Sequence, residues 1–442
     1  MDKNIYIKKT FEDSFNESSI SNDLYEKYNV KKGLRNANGT GVLVLLTKIS
    51  DVYGYKFVDG KKVDEEGHLY YRGYDIFDLA KNNQSRFGFE RICYLILFSK
   101  LPTEEELIGF HNYLSNFYEL PNGFIEDVLF KNNTNSVMNQ MQKAILNLYG
   151  YDKDPDNVDP YETLIKGLNI IAKMPSIVAY SYRAKRHYLD NLSLHIRNPK
   201  KEYSIAENIL RMSRKHGNFT QLEVETLDLA LILHADHGGG NNSTFANLVV
   251  SSTATDIYSS ICASLGSLKG PRHGGANRAV RDMMHQIIKE IGLDATDDDM
   301  RSIANRLLDK QFYDKKGLIY GIGHPVYTKS DPRAILLKAK CEELAKMNGE
   351  ESRFDFYNRF ERIAIEELKK RKGPSFNYCA NVDFYSGLTY EILNINEDLF
   401  IPIFACSRTV GWLAHNIENK LYCDKIIRPA GKYVGEIKWN IE

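Results

Sequence analysis

The 442-residue chain carries no net charge, since 58 lysines and arginines are matched by 58 aspartates and glutamates. That balance removes the electrostatic basis for tracking a nucleic-acid backbone or an anionic membrane surface. Long apolar runs are also missing. The longest, residues 41–46 and 92–98, are far too short to span a bilayer. The opening MDKNIYIKKTFEDSFNESS has no apolar signal core and carries too many acids for a typical organelle transit peptide. Cytoplasm is the expected compartment. The six cysteines, at 93, 262, 341, 379, 406 and 423, form no C-x-x-C pair. A zinc ribbon and a thioredoxin-like motif are thereby excluded, and reduced thiols are expected. The chain also lacks the G-x-S-x-G of a serine hydrolase and a phosphate-cradling Walker loop.

What is present is mostly helix periodicity. Thr220-Gln-Leu-Glu223 is a capping-box signal, and an apolar run follows it to Leu233. Val280, Met283, Met284, Ile287, Ile288 and Ile291 recur at helical spacing until Gly292. Asp331-Pro332 opens another helix, with Asp as N-cap and Pro in the first turn. Phe360, Ile363, Ala364 and Leu368 mark one more, before Lys372-Gly373-Pro374. Residues 243–268, rich in Ser, Thr, Ala and Gly, read as a tightly packed helix pair. Residues 152–160, DKDPDNVDP, read as an acidic loop. Strand signals are sparse: residues 41–49, 52–58 and 69–72 predict one small sheet near the N-terminus.

A few polar residues stand out against this background. His273, in GPRHGGAN, lies just ahead of the Val280–Ile291 helix. A helix N-terminus disfavours protonation of a nearby imidazole, and a neutral imidazole can still donate a hydrogen bond to a developing oxyanion. Gly274 and Gly275 then read as space for a ligand. The alternative is a tight turn with a bystander histidine. GIGHPVYTKSDPRA places His324 after a Gly-x-Gly loop and Arg333 on the next helical turn. Arg can grip a carboxylate bidentately while His polarises a carbonyl. His234 and His237, three apart with Asp236 between them, raise a metal site as a rival. No H-E-x-x-H, cysteine partner or third ligand at a recognisable spacing accompanies them. Asp383, in NVDFYSG, is either a base made stronger by an apolar setting or a plain helix N-cap. Arg408 falls inside the apolar FACSRTVGWLAH and needs a carboxylate partner if buried. Arg428 follows in IIRPAGKYVG, and three arginines suit a dicarboxylate.

Taken in order, HADHGGGNNSTF, KGPRHGGAN, GIGHPVYTKSDPRA, NVDFYSGL and PIFACSRTVGWLAHNIE resemble the citrate synthase family in its bacterial-type form. GTGVLVLLTKISDVYGY, YYRGYDI and IRPAGKYVG extend the likeness over nearly the whole chain from about Gly33. The resemblance implies an all-α fold with minor N-terminal β structure. A large helical domain (1–270 plus 383–442) would carry an inserted small helical domain (271–382). It implies that acetyl-CoA condenses with oxaloacetate and that citryl-CoA is hydrolysed to citrate and CoA. Asp383 would remove the methyl proton, His273 would stabilise the enol or enolate, and His324 would polarise the oxaloacetate carbonyl. His237, Arg333, Arg408 and Arg428 would bind oxaloacetate, with Arg428 supplied by the partner subunit of a homodimer. No metal and no cofactor are implied, acetyl-CoA being a substrate, and no nucleic-acid or membrane partner is expected.

Three rivals accompany this reading. A 2-methylcitrate synthase would share the motifs but prefer propionyl-CoA, a difference of one methylene worth about 1–3 kcal/mol in an apolar pocket. A catalytically silent binding protein would have no chemical reason to keep the histidines, the aspartate and the arginines together. A metal enzyme using His234, Asp236 and His237 is the third. The basic run Lys369, Lys370, Arg371, Lys372 is either a CoA-phosphate contact or a solvated helix C-terminus.

Overall fold

The computed structural model describes residues 7–12, 19–36, 38–59, 61–81, 85–373, 376–423 and 425–435. The chain divides into two units, one of residues 1–46 with 427–442 and one of residues 47–426. The first contains the short helix Asp23–Lys27 and the turn Lys32–Leu34. In it the Lys432 ammonium lies 5.5 Å from the centre of the Tyr28 ring.

The second unit is built almost wholly of helices. Its long helices Pro160–Tyr188 and Phe400–Tyr422 pack on one another, and Gly167 makes room there for the Leu413 side chain. The expected elements are found at Gln221–His234, Ala276–Ile291, Pro332–Asn348 and Glu351–Lys372. Their ends follow from local chemistry. The Thr220 hydroxyl accepts from the Glu223 N–H while the Glu223 carboxylate accepts from the Thr220 N–H. Gly292 and Gly373 end their helices at φ 80° and 104°, where a side chain would be strained. Asn242–Ser251 and Ile257–Leu268 form the small-residue helix pair, with Asn247 bonding Ser264 across it at 3.0 Å. Residues 152–159 are loop, and Asp159 caps the helix that Pro160 begins.

The one sheet among the described residues is antiparallel and differs in part from the sequence pattern. Its strands are Ser50–Val58, Lys61–Tyr71 and Tyr74–Asp75. Residues 41–49, expected as a strand, contribute a single isolated bridge between Gly41 and Arg35. No neighbouring strand pairs with them among the described residues, and Leu43 and Leu46 stand 87% and 91% exposed. Most of the second strand carries no strand signal in sequence, because KKVDEEGH is charged and half exposed and shows no apolar alternation. Only its end, where Leu69 and Tyr71 are buried, looks like a strand in sequence. The register slips between Tyr53 and Tyr55, which makes Gly54 a bulge. A Cβ at Gly54 would come within 2.6 Å of the Val326 carbonyl oxygen. The hairpin therefore lies directly against the loop between His324 and Arg333.

Candidate active site

Two segments distant in sequence cross where His324 and Asp383 are held. Gly323 N–H donates to Cys379 O at 2.8 Å, and Asn381 N–H donates to Gly321 O at 2.8 Å. The Gly-x-Gly before His324 is required by backbone conformation. Gly321 and Gly323 have φ of 84° and 96°, and a Cβ on Gly321 would sit 2.8 Å from Phe384. Asn381, not Asp383, caps the helix Val382–Ile392, accepting from the Asp383 N–H at 3.0 Å. The plain N-cap alternative for Asp383 thus falls away. Its carboxyl is pushed up to about 6, first by burial, against the pull of Arg333 and with a push from Asp331.

The tautomer of His324 follows from its neighbours. Nδ1 accepts the N–H groups of Val326 and Tyr327, each at 3.1 Å. The ring proton is therefore on Nε2. That proton faces Nε2 of His237 at 3.3 Å, so His237 accepts. Burial, reinforced by Arg333, holds His324 down to about 4, and burial with the same guanidinium holds His237 well below the usual imidazole range. Tyr327 lies beside them, 4.7 Å from the His324 ring centre and 5.3 Å from the Arg333 guanidinium carbon.

His273 sits in the turn before the helix Ala276–Ile291. Its value falls to about 4, first from burial and then from the Arg408 charge. Loss of solvation and the nearby positive charge both favour the neutral ring. Gly274 and Gly275 also serve a different purpose from the one expected. A Cβ on Gly274 would run into the Leu268 carbonyl, and one on Gly275 would lie 3.0 Å from Pro271 Cα. The chain itself fills the space that the sequence left for a ligand. His273 Nε2 meets Ser243 Oγ at 3.1 Å, and the indole N–H of Trp412 donates to the same oxygen at 3.2 Å.

The two buried arginines differ. Arg333 is paired through Nε and Nη2 with Asp331 at 3.0 and 2.8 Å. Arg408 is fully buried yet has no carboxylate partner among the described residues, contrary to expectation. Its Nε donates to His234 O at 2.6 Å, its guanidinium lies 4.7 Å from the Phe404 ring centre, and Nη1 has no hydrogen-bond partner. Burial lowers it to about 10.

The structure thus gathers His237, His273, His324, Arg333, Arg408 and Asp383 into one electrostatically connected cluster. Arg428 belongs to the unit of residues 1–46 and 427–442 and is exposed there. The proposed metal trio is dispersed in role. His234 packs on Phe404 with ring centres 4.5 Å apart. Asp236 accepts from Ser50, Gly238 and His415, and although burial works the other way, His415 and Arg408 draw it down. Sequence reasoning passed over His415, Ser243, Trp412 and Asp331. Of these only Asp331 carried a signal, as the cap of Pro332–Asn348. In the basic run, Lys370 pairs with Glu367 and Arg371 with Asp309, each at 2.7 Å. Both ion pairs lie at the C-terminal end of Glu351–Lys372.

One cluster thus holds a buried carboxyl raised to about 6, imidazoles kept neutral by burial, and two buried guanidiniums. It suits removal of a proton from a weak carbon acid and its addition to the carbonyl of an anionic acceptor. The model for the citrate synthase C-terminal domain matches residues 36–430. A citrate synthase of Haloferax volcanii is 35% identical over 92% of this chain and 96% of its own length. A 2-methylcitrate synthase of Shewanella oneidensis is 31% identical over 83% and 88%. Among solved structures, the citrate synthase of Thermoplasma acidophilum, in ternary complex with carboxymethyl coenzyme A and oxaloacetate, superposes with a TM-score of 0.75. It is 26% identical and covers 93% of this chain and 98% of that one. The chain belongs to the citrate synthase family.

Proposed function

We propose that this protein condenses acetyl-CoA with oxaloacetate and hydrolyses the resulting citryl-CoA to citrate and CoA. The observation that carries the reading is the environment of Asp383. Its carboxyl is raised to about 6 while two nearby imidazoles stay neutral and a fully buried guanidinium lacks an acid. In this reading Asp383 takes a methyl proton from acetyl-CoA, and His273 donates a hydrogen bond to the thioester oxygen as charge develops there. Trp412 can only donate to Ser243, so the Ser243 hydroxyl has one proton to give, to Asn241 or to His273. Given to His273 Nε2, it leaves the imidazole proton on Nδ1, free for the thioester. The enol carbon attacks the oxaloacetate carbonyl, and that oxygen becomes the hydroxyl of citryl-CoA by taking the Nε2 proton of His324. Water then cleaves the thioester: its oxygen forms the new carboxylate, CoA leaves with a water proton as the thiol, and the proton held by Asp383 restores His324 to its neutral form.

His237, Arg333 and Arg408 hold the oxaloacetate carboxylates and carbonyl, and Arg428 comes from the second subunit of a homodimer. Residues 271–382 act as the small domain that closes on the substrates. The reaction uses no cofactor or metal and belongs in the tricarboxylic acid cycle of the cytoplasm.

The test is CoA thiol release by the purified protein from oxaloacetate with acetyl-CoA or propionyl-CoA, without added metal. Faster release from acetyl-CoA is expected. Preference for propionyl-CoA would make this a 2-methylcitrate synthase with the same mechanism. Silence with both, from a folded dimer, would remove the enzymatic reading.

A further inference from the structure

Asp331 is 1% exposed, and its carboxylate accepts four hydrogen bonds. Two come side-on from Nε and Nη2 of Arg333. A third, at 3.0 Å, comes from the Arg333 N–H and caps the helix Pro332–Asn348. The fourth, at 3.2 Å, comes from the N–H of Val382, the residue before Asp383. One carboxylate thus joins an arginine of the site to the backbone carrying the base.

The geometry has two consequences. A guanidinium presents its five N–H groups in a fixed plane. Side-on pairing uses the Nε/Nη2 edge and leaves the Nη1/Nη2 fork for a substrate carboxylate. In addition, Asp383 lies within electrostatic reach of both Arg333 and Arg408, and Asp331 opposes their pull. Two unopposed guanidiniums would weaken the base.

We propose that Asp331 is a positioning residue for the condensation: it fixes Arg333 relative to the backbone of Asp383 and masks the charge of that arginine from the base. This rests on the reading of the site as a condensing centre. The loop before Asp331 has fastenings of its own. Thr328 Oγ1 donates to Gly54 O at 2.7 Å, and the Gly67 N–H donates to Ser330 Oγ at 3.0 Å. Loss of the Asp331 charge should therefore leave the loop in place.

The experiment compares wild type, Asp331→Asn, Arg333→Gln and the double variant, with melting curves to confirm folding. It reads CoA thiol release against pH and calorimetric titration with oxaloacetate. Asp331→Asn should move the acid limb of kcat/KM about one unit lower, because a neighbouring negative charge is gone. It should also weaken oxaloacetate binding about tenfold, because the arginine fork is no longer held in place. Arg333→Gln should move the limb the opposite way, and the double variant should fall between the two. A merely structural cap would not produce that charge-signed pattern. An acid limb for Asp331→Asn that coincides with wild type would overturn the proposal. If Asp331→Asn does not fold, coincident limbs for Arg333→Gln and the double variant would overturn it equally. A wild type that releases no CoA would instead sink the proposed function.

Discussion

Arg333 and Arg408 are both buried in one cluster, yet they are stabilised in different ways. Arg333 has its counter-charge in Asp331, two residues away, and the pair is a preformed part of the fold. Arg408, on Phe400–Tyr422, rests on a carbonyl and an aromatic face, with Asp236 acting on it through space. Burying a charge without a paired acid costs several kcal/mol. A fold bears that cost where a ligand supplies the missing anion. In the proposed reading both arginines meet the substrate, Arg333 already paired with Asp331 and Arg408 with no acid of its own until the substrate brings one.

The sharpest way to break this comparison is to replace each guanidinium by a similar volume of hydrocarbon. Arg333→Met strands the Asp331 carboxylate and should destabilise the protein by about 3–5 kcal/mol. Arg408→Met removes a charge with no acid partner and should leave stability unchanged or raise it by about 1 kcal/mol. Both should lower kcat/KM steeply while leaving a residual turnover that can be followed against pH. Denaturant melts with and without oxaloacetate read the contrast. Wild type should gain stability with ligand, and Arg408→Met should not. Equal destabilisation by the two changes would show that Arg408 has a structural partner after all.

A second contrast lies between the base and the imidazoles. The folded protein keeps the Asp383 proton up to about pH 6, whereas an unfolded chain releases it near 3.8. The ionised carboxylate therefore costs stability above pH 6, and Asp383→Asn should stabilise the protein at pH 8 by on the order of 2 kcal/mol while abolishing turnover. His273 and His324 run the other way. They stay neutral down to about 4 against an ordinary value of 6.5, so their contribution is complete above pH 6.5 and is lost as pH falls towards 4. Of these three groups, only Asp383 has its midpoint between those limits. The acid limb of log kcat/KM should have unit slope with its midpoint near 6. A slope of two would mean that an imidazole protonates together with Asp383.

The parts of the site that were legible in sequence are those fixed by local chain chemistry. Glycines precede His324 because the backbone is left-handed there, and Pro332 marks the helix that carries Arg333. The helices were legible through their caps and apolar spacing. What sequence could not supply were contacts between distant segments. Asp331 reads as a cap until Val382 is found against it, and His415 reads as ordinary until Asp236, 179 residues earlier, is found 3.1 Å away. The strand at residues 61–68 was illegible for a related reason. It is held by its partner strand and by the loop it covers, not by an apolar face of its own.

Ser243 is a smaller case of the same kind, since it sits in a small-residue stretch that reads as helix packing. The Trp412 indole fixes the hydroxyl as an acceptor on one side, and the state of His273 depends on where the single remaining proton goes. If that proton goes to His273, nitrogen-15 NMR of labelled protein at pH 8 should find the ring proton on Nδ1. Ser243→Ala should then let the ring populate both tautomers. It should slow turnover about tenfold, within the lower range for a mispositioned proton donor, and lose about 1–3 kcal/mol of stability because the buried indole N–H is left without an acceptor. A wild-type ring protonated on Nε2 would place the hydroxyl proton on Asn241. The donor to the thioester oxygen would then have to be sought elsewhere in the cluster.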